Sequence, residues 1–382
     1  MNPIVIIGTG LAGYNTAKEL RKLDRDTPLV MVAADSGHFY SKPMLSSAFA
    51  SGKAPAQLAM NTPEQMAGQL AATVRPGTRV TAIDTAAHAV RIGEETLEYS
   101  KLVLALGADQ IRLPIAGDAA DSVLTVNDLG DYSCFRAALE GKRTVAIIGA
   151  GLIGCEFAND LTAGGCSVHV IDVAPQPLSR LLTPEGGEML REKLADIGVT
   201  WHLGTSVAGV DRDGTGMRVA LANGESFATD VVLSAIGLRP KLNLAKAAGL
   251  AVNRGIVVDR QLQTSAPDVF ALGDCAEVCG LLLPFVMPIM NAARALGATL
   301  AGKPTPVTYP AMPVLVKTPA CPTIVSPPAA GAEGKWEVVR DAGSCKALFR
   351  SPDGRLLGFA LNGTATAERA ALAKELPPVL AS

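Results

Sequence analysis

Two stretches of this chain have the residue types and spacing to hold a diphosphate: Gly8-Thr9-Gly10-Leu11-Ala12-Gly13 and Gly149-Ala150-Gly151-Leu152-Ile153-Gly154. Each follows an apolar β-branched run, Ile4–Ile7 or Val145–Ile148, and each opens a segment of helical composition. That setting separates a dinucleotide loop from a chance run of glycines. The glycines permit a tight turn and a close backbone approach. The pyrophosphate then rests on unpaired N–H groups at the start of the helix. Two loops imply two dinucleotides, most economically a flavin held permanently and a nicotinamide that comes and goes. A third element, Ala271-Leu272-Gly273-Asp274, follows at a distance. Asp274 reads either as an acceptor for a ribityl hydroxyl near the flavin pyrophosphate or as a plain helix N-cap.

The elements that must position these groups can be placed from pattern. The first segment predicts a strand at 4–7, a helix from about Ala12 to Leu23 and a strand at 29–32. Asp35 lies where an acidic residue often meets an adenosine ribose, but Ala33 and Ala34 occupy the strand end, so that contact stays open. Residues 102–107 read as a short buried strand closing on a glycine, and residues 231–237 repeat that pattern. The second of these is expected to return the chain to the first domain. In the second segment a helix from Leu152 to about Ala163 precedes a strand that ends at Asp172. That carboxylate is placed to accept both hydrogen bonds of a ribose diol and would repel a 2′-phosphate, favouring NADH over NADPH. Arg180 would moderate the preference, and an ordinary residue at a helix approach is the alternative.

Eight prolines punctuate residues 302–328, a density that breaks helices. Beyond them come short alternating segments near 336–339 and 347–349, a strand at 356–361 and a terminal helix from about Ala365 to Lys374. The expected architecture is α/β with two Rossmann-like dinucleotide-binding domains and a small C-terminal α+β domain. The FAD domain is discontinuous (1–110 and 231–303), the NAD domain is inserted (111–230), and an interface domain (304–382) closes the chain.

Composition removes several classes. The net charge is −2 and no long basic block appears, which argues against nucleic acid as a partner. No apolar stretch reaches bilayer length, and the chain enters a strand by Ile4 without room for an export signal, so a cytoplasmic protein is expected. Seven cysteines are scattered, and Cys275 and Cys279 lack the two-residue spacing of a redox dithiol. The histidines at 38, 88, 169 and 202 stand apart, and no metal site is expected. Monomer and dimer are both left open.

The loop pair, the Ala-Leu-Gly-Asp-Cys-Ala-Glu run at 271–277 and Tyr40-Ser41-Lys42-Pro43-Met44-Leu45-Ser46 together resemble the two-dinucleotide flavoprotein reductases. Within these the chain is similar to the rubredoxin–NAD(+) reductases. Gly-Leu-Arg-Pro at 237–240, Asn253-Arg254-Gly255 and Val316-Lys317-Thr318-Pro319 fit the same family. The resemblance covers essentially the whole chain. It implies that Gly8 to Gly13 cradle the FAD pyrophosphate, that Ala33 and Ala34 lie along its adenosine, and that the backbone at Val80 touches the adenine. It also implies a Lys42–Glu156 pair beside the reactive flavin edge and the nicotinamide, with Asp274 and Val286 lining the flavin. Lys317 would approach the pyrimidine end, where a cation stabilises the charge of a reduced flavin. Without the family, Lys42 and Lys317 read as solvated surface lysines.

One departure selects a subclass. Disulfide reductases of this superfamily carry a redox cysteine near residues 40–50 or a two-spaced pair in the nicotinamide domain. This chain has no cysteine before Cys134, and Ser41, Ser46 and Ser47 have no thiol redox chemistry. Electrons are therefore expected to leave from the flavin itself. The resemblance implies that they pass from NADH to FAD and singly outward to rubredoxin, a small acidic iron protein, which in this family serves alkane hydroxylation or oxygen or nitric oxide reduction. Residues 301–382 carry nine Lys or Arg against six acids, an excess of three that leaves −5 elsewhere and suits an acidic carrier. The competing expectations are a ferredoxin reductase, usually with arginine where Lys42 stands, and a non-catalytic NADH-sensing flavoprotein.

Overall fold

The computed structural model describes residues 1–381, folded as two parallel α/β units and a smaller antiparallel one. The first sheet runs in the order Val269–Ala271, Lys101–Leu104, Ile4–Ile7, Leu29–Val32, Thr73–Arg75, all parallel. Its central strands are buried on both faces, which is why they read as unbroken apolar runs. Helices Leu11–Arg21 and Val286–Leu300 pack on this core and on each other, so closely that a Cβ on Gly297 would lie 2.7 Å from Cβ of Glu19.

The second sheet is ordered Leu124–Thr125, Val231–Ser234, Thr144–Ile148, Ser167–Asp172, Val199–Leu203, again parallel. Val145, Ile147, Val168 and Val170 share one core with the helix Leu152–Ala163. Ala146, Ile148 and Ile171 share another with an antiparallel three-stranded sheet, Val207–Asp213, Gly216–Leu221 and Ser226–Thr229. The strand Val231–Ser234, expected to return the chain to the first domain, instead pairs with Thr144–Ile148. A short apolar strand that closes on a glycine carries no mark of which parallel sheet it joins. The return comes just after it. Leu238–Pro240 runs antiparallel to Ala108–Gln110, so the two connections between the units lie side by side.

The C-terminal unit is a five-stranded antiparallel sheet ordered Val314–Val316, Thr323–Ser326, Leu356–Gly363, Ser344–Arg350, Lys335–Arg340. The terminal helix is shorter than expected: Thr364–Glu368 is a 3-10 turn, and the α-helix spans Arg369–Glu375. Val316, Val325, Cys345 and Ala360 pack in the same core as Met189 and Leu190 of the helix Pro184–Asp196. Arg340 adds an ion pair to Glu192 at 2.5 Å. This unit is thus fastened to the second. No helix among the described residues is long and apolar enough to cross a membrane.

Candidate active site

The two loops are built alike. Gly8 (φ +113°) and Gly149 (φ +108°) occupy left-handed backbone, where their Cβ atoms would strike the carbonyls of Ala105 at 2.2 Å and Ala235 at 2.7 Å. A Cβ on Gly13 or Gly154 would lie 1.9 Å from the carbonyl oxygen of Gly8 or Gly149, so the last glycine of each loop lets the helix close against the strand. Gly10 and Gly151 meet nothing within 4 Å. They are also the N-caps of helices Leu11–Arg21 and Leu152–Ala163, with no capping side chain and no acid in the first turn. The free N–H groups and the space beside these two glycines fit a pyrophosphate at each loop.

Around the first loop the expected neighbours converge. A Cβ on Gly273 would lie 2.9 Å from Cβ of Ala12, which sets the 271–274 turn against the start of the first helix. Asp274 sits in the 3-10 turn Gly273–Cys275, and its carboxylate takes no protein hydrogen bond among the described residues, so the N-cap alternative finds no support. Burial holds it above the usual carboxylate range, and Lys42 opposes that shift. Val286 opens the helix Val286–Leu300, a third N-terminus without a capping side chain, and remains exposed. Thr78 N–H donates to the Ala33 carbonyl at 2.7 Å, which brings the segment leading to the buried Val80 alongside Ala33 and Ala34. Asp35 acts within its own loop, where its Oδ1 accepts from Gly37 N–H at 2.9 Å and from the Thr9 hydroxyl at 3.4 Å.

At the second loop Asp172 ends its strand as expected. Its Oδ2 accepts from Ala150 N–H at 2.5 Å and its Oδ1 from Ala174 N–H at 2.7 Å. The carboxylate braces the loop and has lone pairs left for an incoming diol.

The expected Lys42–Glu156 pair is not formed. Glu156, fully buried, is paired with Lys317, whose own N–H donates to Oε1 at 3.0 Å while its ammonium donates to Oε2. One residue thus engages both carboxylate oxygens, one through its backbone N–H and the other through its ammonium. Ser46, read from the sequence only as a residue without thiol chemistry and not as a site residue, completes the cluster: its hydroxyl donates to Glu156 Oε2 at 2.5 Å and accepts from Lys317 Nζ at 3.0 Å. Lys42, on the 3-10 turn Lys42–Ser47, donates instead to Asn127 Oδ1. Asn127 is anchored through its Nδ2 to the Ala108 carbonyl at 2.8 Å. Burial holds the Lys42 ammonium below the ordinary lysine range, and the charge of Asp274 works against that. Lys42 therefore belongs with Asp274 on the first-loop side, and Lys317 with Glu156 on the second-loop side.

No thiol stands in this cluster. All seven cysteines are free among the described residues, with only Cys134 and Cys279 exposed. Burial pushes Cys155 and Cys275 up, the latter to about 11, so neither supplies a thiolate near neutral pH. The histidines are less isolated than their spacing suggests: His169 Nδ1 lies 3.1 Å from His202 Nε2 across neighbouring strands, beside Phe227.

Residues 2–298 match the family described as pyridine nucleotide-disulphide oxidoreductase. The chain belongs to that family. Residues 306–376 match a rubredoxin-binding C-terminal domain, which coincides with the antiparallel unit. Among relatives of this oxidoreductase, a rubredoxin–NAD(+) reductase of Alcanivorax borkumensis is 54% identical over 381 residues, covering all of both chains. One of Acinetobacter baylyi is 46% identical over 391 residues, covering all of this chain and 99% of that protein. The solved ferredoxin reductase for the CYP199A2 system from Rhodopseudomonas palustris superimposes with a TM-score of 0.88 at 27% identity, covering 99% of this chain and 96% of that one.

Proposed function

We propose that this chain is an FAD-dependent NADH:rubredoxin reductase. The observation that carries the reading is the third unit. It matches a rubredoxin-binding domain and is held, through Lys317, on the very helix that begins at the second loop. Relatives with full-length coverage bear the same activity in their names. In this reading the first loop takes FAD tightly, with Ala33, Ala34, Val80, Asp274 and Val286 around it, and the second takes NADH. The chemistry supplied by the bound cofactors is hydride transfer from nicotinamide to flavin and export of single electrons to the iron carrier.

What the chain supplies is placement and field. Gly10 and Gly151 leave helix N-termini open to the two pyrophosphates. Asp172 stiffens the nicotinamide loop and sets its charge against a 2′-phosphate. Lys42 and Asp274 set a cation and an anion on the flavin side, while the buried Glu156 and Ser46 and the half-buried Lys317 form a mutually satisfied cluster between the units. No side chain is required as a nucleophile, in keeping with the buried, protonated thiols. A ferredoxin as carrier is the second reading, favoured by the superposition on a ferredoxin reductase.

Steady-state NADH oxidation with purified rubredoxin and with a [2Fe–2S] ferredoxin separates the two. We expect turnover with rubredoxin, a carrier KM that climbs with ionic strength because the C-terminal region is basic, and little turnover with the ferredoxin. Preferential reduction of the ferredoxin would replace this reading, and flavin reduction without turnover on either carrier would make the chain a sensor.

A further inference from the structure

The helix that starts at the second loop does more than begin a pyrophosphate site. Glu156, Asp160 and Gly164 recur along it at four-residue steps, which places them on one face. That face is turned to residues 46–50 of the first unit. Glu156 accepts from the Ser46 hydroxyl. Asp160, 7% exposed, accepts from Phe49 N–H through Oδ2 at 2.7 Å and from Ala50 N–H through Oδ1 at 3.2 Å. A Cβ on Gly164 would lie 2.4 Å from Cδ1 of Phe49, so the ring seats on the helix end only because a glycine is there. Arg136 closes the seat from above, its guanidinium 4.8 Å from the Phe49 ring and its Nη1 donating to the Lys53 carbonyl at 2.9 Å. On the flank, Asn159 Oδ1 accepts from Ala320 N–H of the third unit at 3.0 Å.

We infer that Asp160 is a positioning residue for hydride transfer: with Glu156 and Gly164 it grips the segment that carries Lys42 and Ser46, and so fixes the flavin-side wall against the nicotinamide loop. The inference rests on the proposed function. A helix of twelve residues is a rod of about 18 Å whose first turn would hold one dinucleotide and whose middle holds the wall of the other site. A shift of this grip moves the two reacting groups apart, and hydride transfer is steeply sensitive to such displacement. A purely structural acid would show itself differently. Burial lifts the Asp160 carboxyl above its ordinary range, against the pull of the Phe49 and Ala50 N–H groups, Arg136 and Lys317. Its ionised form is therefore less comfortable folded than unfolded, and a neutral replacement relieves that cost.

The test uses the flavin-loaded, full-length protein. Asp160→Asn keeps one acceptor and turns an amide N–H toward the second donor. Stopped-flow reduction by NADH should show a limiting rate at least about tenfold lower, with an NADH Kd changed less than about threefold and a melting point close to the parent's. Hydrogen exchange at the Phe49 and Ala50 amides, read without NADH, should speed up. Gly164→Ala, which displaces Phe49 without touching the carboxylate, should give the same kinetic signature. A limiting rate equal to the parent's in both variants, alongside faster exchange, would overturn the positioning role. A parent protein whose flavin NADH does not reduce would instead overturn the proposed function.

Discussion

At the scale of single residues, the two loops divide their glycines between those with no room for a side chain and those open to space, which in the proposed function is the space for a pyrophosphate. Gly154 has no room for a side chain, with a Cβ 1.9 Å from a backbone oxygen, whereas Gly151 opens onto free space. Gly154→Ala should therefore cost about 2 kcal/mol or more of stability as the helix is pushed off the strand. Gly151→Ala should leave the melting temperature nearly unchanged and raise the KM for NADH about tenfold, a loss of about 1.4 kcal/mol. Thermal melts beside NADH kinetics check both, and the reverse pattern would mean that the pyrophosphate does not rest at Gly151. Lys317 makes a second residue-scale prediction. Lys317→Met strands the fully buried Glu156 without its cation, which should cost about 3–5 kcal/mol in denaturant unfolding. Adding Glu156→Gln should recover most of that loss, because the uncompensated charge is the penalty. Equal losses in the single and double variants would show that the pair is not coupled.

Elements explain what could be read from the chain and what could not. The loops were legible because a left-handed φ at Gly8 or Gly149 and a touching backbone at Gly13 or Gly154 are local demands that only glycine meets. Strand Val231–Ser234 was legible as a strand but not by address, since two parallel sheets buried on both faces ask for the same apolar run. The partner of Glu156 lies 161 residues away, and nothing near either lysine says which of them turns inward. Family resemblance favoured Lys42; the backbone N–H of Lys317, which binds the same carboxylate, decides for Lys317. The sequence carries one further signal: two carboxylates and the C-cap glycine at four-residue spacing along a mostly apolar helix. Buried acids in such a helix need partners, and their common face says that the partners lie in one neighbouring segment.

In the proposed function the whole molecule is a relay without thiols, assembled from two nucleotide units and a carrier-binding unit fastened to the second by Lys317–Glu156, Asn159–Ala320 and Arg340–Glu192. Thiol titration tests the first half of that statement. Cys134 and Cys279 should react promptly in the native protein and the other five cysteines only on unfolding, while alkylation of the native protein leaves NADH oxidation intact. Loss of activity in step with a reacting thiol would require a cysteine in the path. The central claim is that a flavin on the first loop is the only stop between a nicotinamide on the second and an iron protein outside. An anaerobic titration with NADH followed by oxidised rubredoxin tests it most directly. One equivalent of NADH should bleach the bound flavin, and rubredoxin should then restore the flavin colour as its own iron band disappears, two rubredoxins per flavin. A purified, folded protein that stays colourless and takes up no flavin, or a reduced flavin that rubredoxin leaves unchanged, would contradict it.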